Sequence, residues 1–391
     1  MRGMRRTTGH KCLANLLLHV ATSLNSPRTS QYSLSPPPPL PLQDVHNLDE
    51  TAGNLRSLST TGGSGGVLDL FYPPWKLRLA QKPCFFSAIS QLWAATYAAT
   101  LPSTHHDEAP SPALPTHLDA SNEEHDTNDG DPPKTVYAHP YGPFDPNQGY
   151  FYLDRTGFRV PDHISQRHTK GKRPLQRSLT PHLDCCPSAL YSSDKQVKRW
   201  RPIQSFIALT DNHTPDTGGF ECVKGWHRQF ETWAQRRKPC GKTGKPAPCV
   251  GDFTPIRPEE DADVIARFAP VLYPAGSVVA FDWRIPHANA ARHVGEAPRQ
   301  VSYGSFLPDV PINRVYAQRQ RERFLAGMQP DDQWKEDKDR KEVYVHGEGE
   351  DVFAFSERGL RLLGGGLEGT EVGEGVEGLG GDGGGEKEIV A

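Results

Sequence analysis

The sequence lacks most of the features that mark nucleic-acid-binding or disulfide-rich proteins. Its 44 basic and 47 acidic residues nearly cancel, for a formal net charge of −3, and no basic-aromatic RNA-binding motif occurs. This balance does not indicate a nucleic-acid partner. The seven cysteines are odd in number and include no CxxC pair, which favours a reduced intracellular chain over a disulfide framework or a zinc knuckle.

Long apolar runs are also missing. The stretch CLANLLLHVATSL at 12–24 is too short to cross a bilayer and is interrupted by Asn15 and His19. The sequence therefore predicts a soluble protein without a membrane span.

The first 43 residues contain no Asp or Glu, open with MRGMRR and are rich in Ser and Pro. This composition resembles an organelle transit peptide. Two alternatives stay open: a secretory signal with CLANLLLHV as its apolar part, and a disordered tail without an address. We expect an intracellular protein, with an organellar destination as a hypothesis.

Low-complexity segments divide the chain. SPPPPLPLQ at 35–43 and TTGGSGG at 60–66 have linker compositions, and the C-terminal Gly- and Glu-rich stretch cannot bury a core. The predicted segments are a targeting or disordered region (1–66), one folded domain (67–364) with a disordered insertion (101–135), and a disordered tail (365–391).

Hydrophobic periodicity predicts helices towards both ends of the domain and strands between them. In CFFSAISQLWAATYAA, the apolar residues Phe85, Ala88, Ile89, Leu92 and Trp93 share one helical face. Further helices are predicted in PINRVYAQRQRERFLAGM and FSERGLRLLG. Six β-branched and aromatic runs predict strands at 149–160, 177–184, 200–211, 218–226, 276–283 and 299–307. No helix alternates with them, so a mainly β fold, an antiparallel sandwich or barrel, is favoured.

A candidate metal site begins in RSLTPHLDCCP. In an extended strand, His182 and Asp184 point to the same face because they are two residues apart. The third candidate ligand is His287, which follows the apolar strand SVVAFDW. Two histidines and a carboxylate with open coordination positions suit non-haem Fe(II), and zinc stays open as an alternative. Cys185 and Cys186 are expected to be small buried groups.

Arg299 favours iron together with a 2-oxo acid cosubstrate. It opens the predicted strand at 299–307, shortly after His287. A molecule such as 2-oxoglutarate chelates a metal at one end, and a buried guanidinium compensates the desolvated carboxylate at its other end. Spacing alone allows Arg299 to be an exposed strand residue, and Arg292 is a second candidate for this contact.

These blocks resemble the phytanoyl-CoA dioxygenase-like branch of the Fe(II)- and 2-oxoglutarate-dependent dioxygenases over roughly residues 140–310. The resemblance is carried by HLD, IQSFIALTDNHTPDTGGFECVKGWH, PAGSVVAFDWRIPHANAARH and APRQVSYGSF, in that order. It implies a double-stranded β-helix core, a cupin-like jelly-roll, with flanking helices and disordered termini.

The resemblance also implies the roles of individual residues. The implied site consists of the catalytic metal ligands His182, Asp184 and His287, the 2-oxoglutarate anchor Arg299, and the cosubstrate-contacting residues Gln204 and Asn289. There are departures from the family pattern: Asn289 stands where a small hydroxyl residue is frequent, and KGWH replaces a PGSH turn. His227 in that turn is expected to be structural.

The implied chemistry is oxidative decarboxylation of 2-oxoglutarate to succinate and carbon dioxide, coupled to hydroxylation of a substrate C–H bond. The implied cofactors are Fe(II), 2-oxoglutarate and dioxygen, with ascorbate as a candidate accessory reductant. Related halogenases have a small residue at the position of Asp184, so its carboxylate favours hydroxylation.

The expected substrate is a small or lipid-like molecule, and no sequence pattern indicates an oligomeric state. The basic loop HISQRHTKGKRPLQR at 163–177 could meet an anionic group such as a CoA ester, although a solvated loop is the more ordinary interpretation. Two other functions stay open. One is a catalytically silent jelly-roll that binds or regulates, and the other is a zinc hydrolase, for which the motif blocks offer no general-base carboxylate.

Overall fold

The computed structural model describes residues 48–100, 135–139, 142–185, 199–236, 253–330, 342 and 355–367. Over these ranges the chain is mainly β, with two five-stranded antiparallel sheets, a small third sheet and several helices. The strands are β1 (Val67–Leu68), β2 (Ala98–Thr100), β3 (Thr135–His139), β4 (Gly142–Pro143), β5 (Gly149–Arg159), β6 (His182–Leu183), β7 (Ile203–Ala208), β8 (Phe220–Cys222), β9 (Thr254–Pro255), β10 (Ala269–Pro270), β11 (Val278–Asp282), β12 (His287–Asn289) and β13 (Arg299–Pro308). The α-helices are α1 (Leu48–Thr51), α2 (Pro74–Ala80), α3 (Pro83–Tyr97), α4 (Asp162–Arg167), α5 (Phe230–Arg236), α6 (Ala262–Ile265), α7 (Pro311–Leu325) and α8 (Glu357–Leu362).

One of the two five-stranded sheets, called the larger sheet because its strands are longer, has the order β1-β5-β13-β7-β11. Its long strand β5 is buried along nearly its whole length, and a strand buried on both faces needs cover on both sides. Helix α3 supplies cover through Phe85 and Phe86, whose rings pack edge-on against Phe306 of β13 at centroid distances of 4.9 and 5.0 Å. Each such buried aromatic side chain contributes roughly 2 kcal/mol of hydrophobic stabilisation. This packing fixes the sheet that carries Gln204 and Arg299.

The second sheet has the order β10-β8-β12-β6-β9 and consists of strands only two or three residues long. Its two edge strands each contain a proline, Pro255 in β9 and Pro270 in β10. Edges are where a sheet tolerates a residue without a backbone N–H. The centre of this sheet, β8-β12-β6, carries the two histidines of the candidate metal site.

The helix predicted in CFFSAISQLWAATYAA is present as α3, but its buried face differs from the prediction. The buried residues are Phe85, Phe86, Ile89, Ser90 and Trp93. Ala88 and Leu92, predicted to lie on that face, are exposed. The buried face of α3 is rotated relative to the predicted face because Phe86 packs against Trp93, at a centroid distance of 5.9 Å, as well as against Phe306.

The two C-terminal helices form where the sequence predicts them. Helix α7 begins at Pro311, whose missing N–H is harmless in the first helical turn. Helix α8 follows Ser356, whose Oγ accepts a hydrogen bond from the backbone N–H of Gly359.

All six predicted strand regions contain strands, although several are short. His287, expected just beyond the strand SVVAFDW, instead opens a strand of its own, β12. The preceding strand β11, although apolar in sequence, is only partly buried. The reason is its position at the edge of the larger sheet, where it has a neighbour on one side only.

The folded part of the chain begins before Val67, the predicted boundary. Helix α1 starts at Leu48, and Ala52 and Leu55 are buried in a cluster that includes Phe158. The prediction of a targeting or disordered region up to residue 66 is therefore wrong for residues 48–66, where apolar side chains add to the core.

The TTGGSGG segment, predicted to be a linker, is a tight loop packed against β5. Gly65 and Gly66 both have positive φ angles, a conformation that favours glycine. A Cβ atom at Gly66 would lie 2.6 Å from the Cα of Arg159. Glycine thus permits the two backbones to approach closely.

Several predictions concern residues outside the described ranges. These are the targeting segment up to residue 47, nearly all of the insertion at 101–135, Cys186, and the tail from residue 368. Of the described cysteines, Cys185 and Cys222 are buried and form no disulfide, whereas Cys84 is disulfide-bonded, which differs from the reduced set that the sequence favoured. None of the described helices is long and apolar enough to span a membrane.

Candidate metal centre

Two short strands bring the candidate histidine ligands together. In the antiparallel pair of β6 and β12, His182 lies directly opposite His287, and their ring centroids are 4.3 Å apart. Directly opposed residues share one face of a sheet. The register of this one pair therefore places both imidazoles, which are buried, in the same cavity.

A backbone carbonyl orients each imidazole. The Nδ1 of His182 lies 2.7 Å from the carbonyl oxygen of Thr180, and the Nδ1 of His287 lies 2.9 Å from that of Ile285. Nδ1–H donates in both contacts, which leaves the lone pair on Nε2. Both histidines therefore present a potential metal-ligating nitrogen to the cavity.

Asp184 completes the group. Its Oδ1 lies 3.4 Å from Nε2 of His182, and its Oδ2 lies 3.4 Å from Nε2 of His287. One ligand atom from each of the three residues lies within 4.8 Å of the others. In the part of the chain that the structure describes, this is the one cluster of His, Cys, Asp or Glu side chains close enough to hold a metal ion.

The electrostatics of the group favour the protonation states that a metal requires. Burial by itself raises the pKa of Asp184, but His182 and His287 outweigh it and hold that pKa well below its usual value. Burial, and then the neighbouring His182, lower the pKa of His287. The carboxylate is thus ionised and the His287 imidazole neutral at neutral pH, as metal ligands must be.

Arg201 is a buried cation beside the Asp184 carboxylate. No sequence pattern pointed to this arginine. Its Nη2 lies 3.4 Å from Oδ2 of Asp184, and its Nη1 lies 3.5 Å from Oδ2 of Asp154. The guanidinium also covers the ring of Tyr152 at 4.2 Å from the centroid. Arg201 is thereby fixed on two sides and can orient the Asp184 carboxylate.

We expect Arg201→Gln to weaken Ni(II) binding by about tenfold, since residues that orient metal ligands typically contribute this much. Isothermal titration calorimetry measures the effect. Arg314→Gln is the control, because Arg314 pairs with Asp309 at 2.7 Å away from the cluster, and we expect it to bind Ni(II) like the wild type. Unchanged affinity in Arg201→Gln would show that Asp184 needs no such support.

A β-bulge turns two charged residues of β5 towards the cavity. Asp154 and Arg155 together lie opposite the single residue Tyr303 of β13, where the register shifts. The buried Nζ of Lys76 donates to the backbone carbonyls of both bulge residues, which satisfies groups that the strand ladder leaves unpaired. The bulge is what allows Asp154 to reach Arg201.

A cavity of about 100 Å³ opens beside the three candidate ligands. Thr61, Arg155 and Asn289 contribute polar groups to its lining, and Val67 and Leu179 contribute apolar ones. Thr61 belongs to the segment that the sequence predicted to be a linker, so its position in the wall could not be anticipated from composition.

Gln204 and Asn289 both line the cavity. The Nε2 of Gln204 is buried and has no hydrogen-bond partner in the described structure. Asn289 is fully engaged: its Nδ2 donates to the carbonyl of Gly65 at 3.1 Å and to Tyr303 Oη at 3.4 Å, and its Oδ1 accepts from Arg299. A buried donor without a partner calls for a ligand or a water, which makes Gln204 the better placed of the two for direct contact.

Arg299 is buried directly behind this wall and does not itself line the cavity. Its Nε donates to Tyr273 Oη at 3.1 Å and its Nη1 to Asn289 Oδ1 at 3.2 Å, whereas its Nη2 has no partner in the described structure. The alternative anchor Arg292 is exposed and faces Asp216 at 3.8 Å. Burial thus distinguishes Arg299 from Arg292, which sequence spacing alone left as alternative candidates for the cosubstrate anchor.

Other residues singled out in the sequence lie away from the cluster. Lys170, Lys172 and Arg173 of the basic loop are exposed and do not line the cavity. His227 lies in a 3₁₀ turn outside the metal-competent group. Cys185 is buried and forms no disulfide, as expected of a small apolar group.

The hydrogen bond between Arg299 and Tyr303 had a sequence signal. Tyr303 is four residues after Arg299 on the same strand, and residues two or four apart share a face, so period-two patterning could have placed its hydroxyl beside Arg299. Tyr273 and Arg201 carry no such signal, because both lie outside the strands that hold their partners.

His293 gives the fold a specific dependence on pH. Burial, and then the charge of Arg159, lower the pKa of His293 from 6.5 to about 4. The unfolded chain therefore binds more protons than the folded chain between these values, so stability is lost as the pH falls from about 6.5 to about 4. We expect His293→Gln to flatten this loss, measured as the free energy of unfolding in urea at both ends of the range. An unchanged slope would contradict the assignment.

Comparisons with known proteins support the fold only. No family model matches the chain, and no curated protein matches it. Among solved structures, the chain resembles GlcNAc inducible gene 2 (DUF1479) from Candida albicans with 12% identity and a TM-score of 0.52, over 93% of this chain and 87% of that one. A hypothetical protein, JW0805, from Escherichia coli matches with 15% identity and a TM-score of 0.49, over 82% and 76%. HygX from Streptomyces hygroscopicus, solved with nickel and 2-oxoglutarate, matches with 16% identity and a TM-score of 0.23, over 42% and 58%.

Proposed function

We propose that this protein is an Fe(II)- and 2-oxoglutarate-dependent oxygenase with a double-stranded β-helix core of the phytanoyl-CoA dioxygenase-like type. It would hydroxylate a C–H bond of a small or lipid-like molecule. One observation carries the proposal. His182, Asp184 and His287 converge on a cavity, and backbone carbonyls orient the two histidines for metal binding.

The donor set fits ferrous iron. Two imidazoles and one carboxylate are the facial triad of non-haem iron oxygenases and leave coordination positions open. A zinc hydrolase would need a free general base, but Asp154, the other carboxylate of the cavity wall, is held by Arg201. The three metal ligands and the pairing of Asp154 with Arg201 therefore favour oxygenation over hydrolysis.

The surroundings fit a cosubstrate with a negatively charged tail. The buried Nε2 of Gln204 and Nη2 of Arg299 are both without partners in the described structure, and both are donors suited to oxygen acceptors. When bound, iron and 2-oxoglutarate would supply the oxidising power for hydroxylation and release succinate and carbon dioxide. The chain's own contribution is to hold the metal, bind the cosubstrate tail and keep water out.

Aromatic side chains pack against both candidate histidine ligands. The ring of Phe253 stacks on His182 at a centroid distance of 4.7 Å, and the ring of Phe281 lies 4.8 Å from that of His287. Apolar cover of this kind limits solvent access to a metal site. The mixed polar and apolar cavity lining is compatible with a small or lipid-like substrate.

Metal-dependent binding of 2-oxoglutarate tests the proposal. Purified protein is expected to bind 2-oxoglutarate only when Fe(II), or Ni(II) in its place, is present and, with Fe(II), ascorbate and dioxygen, to form succinate. His182→Ala should lose both properties. Absence of metal-dependent binding in the wild type overturns the oxygenase proposal and leaves a catalytically silent binding fold. If binding is found, a screen for stimulated succinate formation across candidate small molecules identifies the substrate.

A further inference from the structure

Arg159 and Arg299 are two buried arginines at directly opposed positions of β5 and β13. Their relative exposures are 2% and 3%. Like charges directly opposite each other destabilise a sheet unless something compensates them. Both side chains extend towards the end of β12, where Arg299 meets Asn289 and Arg159 meets the carbonyl of Ala291.

The charges of this pair are not balanced by the described residues. Arg159 donates through Nη2 to Asp162 Oδ1 at 2.9 Å, whereas the hydrogen-bond partners of Arg299 are uncharged. The nearby His293 is neutral at neutral pH. Among the described residues, Arg159 thus has one carboxylate partner and Arg299 has none, and the Asp162 carboxylate is itself 37% exposed. The cluster has one positive charge in excess.

Both guanidinium groups also have unused donors. Nε and Nη1 of Arg159 and Nη2 of Arg299 are buried without a hydrogen-bond partner in the described structure. Leaving a buried donor unsatisfied is costly, and more so for a charged group. Three such donors on two adjacent arginines indicate a place where an anion binds.

The position of Arg159 is fixed by two glycines. A Cβ atom at Gly66 would lie 2.6 Å from Cα of Arg159, and one at Gly218 would lie 2.8 Å from its Cγ. Both glycines have positive φ angles. The chain therefore closes around Arg159 from two loops, which holds its charge in place before a ligand arrives and lowers the entropic cost of binding.

We propose that Arg159 and Arg299 together bind the distal carboxylate of the cosubstrate, so that the site selects a dicarboxylic 2-oxo acid over one with a neutral tail. This inference rests on the oxygenase function proposed above. One carboxylate neutralises the excess charge and accepts hydrogen bonds from both guanidinium groups. Arg159, which lies outside the motif that marks Arg299, thereby becomes a second determinant of cosubstrate choice.

The test compares 2-oxoglutarate with 2-oxobutyrate, which has the same keto-acid end but no distal carboxylate. Affinities are measured by isothermal titration calorimetry on the Ni(II)-loaded protein, which requires no turnover. We expect Arg159→Gln to weaken 2-oxoglutarate binding by about tenfold and to leave 2-oxobutyrate binding within about twofold of the wild type. Arg159→Lys, which keeps the charge, should lose less.

Asp162→Asn is the matched control for a structural role. It removes the carboxylate that neutralises Arg159 but keeps a side-chain oxygen. In the wild type, the backbone N–H of His293 donates to Asp162 Oδ2 at 2.8 Å, and the asparagine oxygen can accept the same hydrogen bond. If Arg159 acts through its charge, Asp162→Asn binds 2-oxoglutarate as tightly as the wild type or more tightly. If Arg159 merely anchors this loop, Asp162→Asn reproduces the loss.

The outcomes separate the two proposals. Equal weakening of both probes in Arg159→Gln, unchanged 2-oxoglutarate affinity, or a matching loss in Asp162→Asn overturns the role of Arg159 while the oxygenase function stands. Failure of the Ni(II)-loaded wild type to bind 2-oxoglutarate overturns both.

Discussion

His287→Ala is expected to weaken Ni(II) binding by at least about 100-fold, since loss of a direct ligand exceeds the 10- to 100-fold cost of losing an outer contact. His287 is one of two imidazoles held at directly opposed positions, and without it only His182 and Asp184 face the site. Two ligands from one short segment, 182–184, cannot enclose a metal ion as three do. Equilibrium dialysis at neutral pH measures the affinity.

His213→Ala is the control for this experiment. The side chain of His213 is 61% exposed and lies near Asp211, outside the metal-competent cluster. Its removal should leave Ni(II) affinity at the wild-type value. Retained affinity in His287→Ala, with a thermal unfolding midpoint like that of the wild type, would mean that the metal uses other ligands.

The local part of this site could be predicted from the sequence. The two-residue spacing of His182 and Asp184 is a property of any extended strand, and the structure places both side chains within 3.4 Å of each other. The contribution of His287 could not be derived locally. It depends on the pairing of β6 with β12, which are far apart in sequence, and only the ordered motif blocks pointed to it.

The remaining site residues depend on features without a sequence signature. Arg201 reaches Asp184 from the segment before β7, and its second partner Asp154 is presented by a bulge that Lys76 satisfies. The glycine loop was mistaken for a linker because flexible linkers and tight positive-φ turns have the same composition. Tertiary contacts, rather than composition, distinguish the two.

Charges of opposite sign lie in two places around the cavity. Asp184 lies between two imidazoles and beside Arg201, and its carboxylate can accept a cation. Arg299 lies behind Asn289, Arg159 lies opposite it on β5, and Asp162 is the one described carboxylate that pairs with either of them. A molecule that chelates a metal through one end and carries a carboxylate at the other is complementary to both. This polarity is the physical reason for expecting a 2-oxo diacid rather than a simple metal-binding ligand.

Arg299→Gln is accordingly expected to weaken 2-oxoglutarate binding to the Ni(II)-loaded protein by about 100-fold, the cost of removing one partner of a buried, hydrogen-bonded charge pair. Arg299 has an unused Nη2 donor next to the cavity wall, since its Nη1 donates to Asn289, which lines the cavity. Ni(II) affinity in the absence of cosubstrate should be unchanged, because Arg299 contacts none of the three ligands. Isothermal titration calorimetry provides both values.

Arg292→Gln is the matched control, since it removes an arginine from the alternative anchor position, whose side chain is 65% exposed. We expect this variant to bind 2-oxoglutarate like the wild type. The reverse result, a loss in Arg292→Gln with none in Arg299→Gln, would place the cosubstrate tail towards solvent instead of behind Asn289. Exposed charge pairs contribute little in water, whereas a desolvated guanidinium without a carboxylate partner gains most from an incoming anion. We therefore expect burial, rather than distance along the chain from His287, to decide which arginine binds the carboxylate.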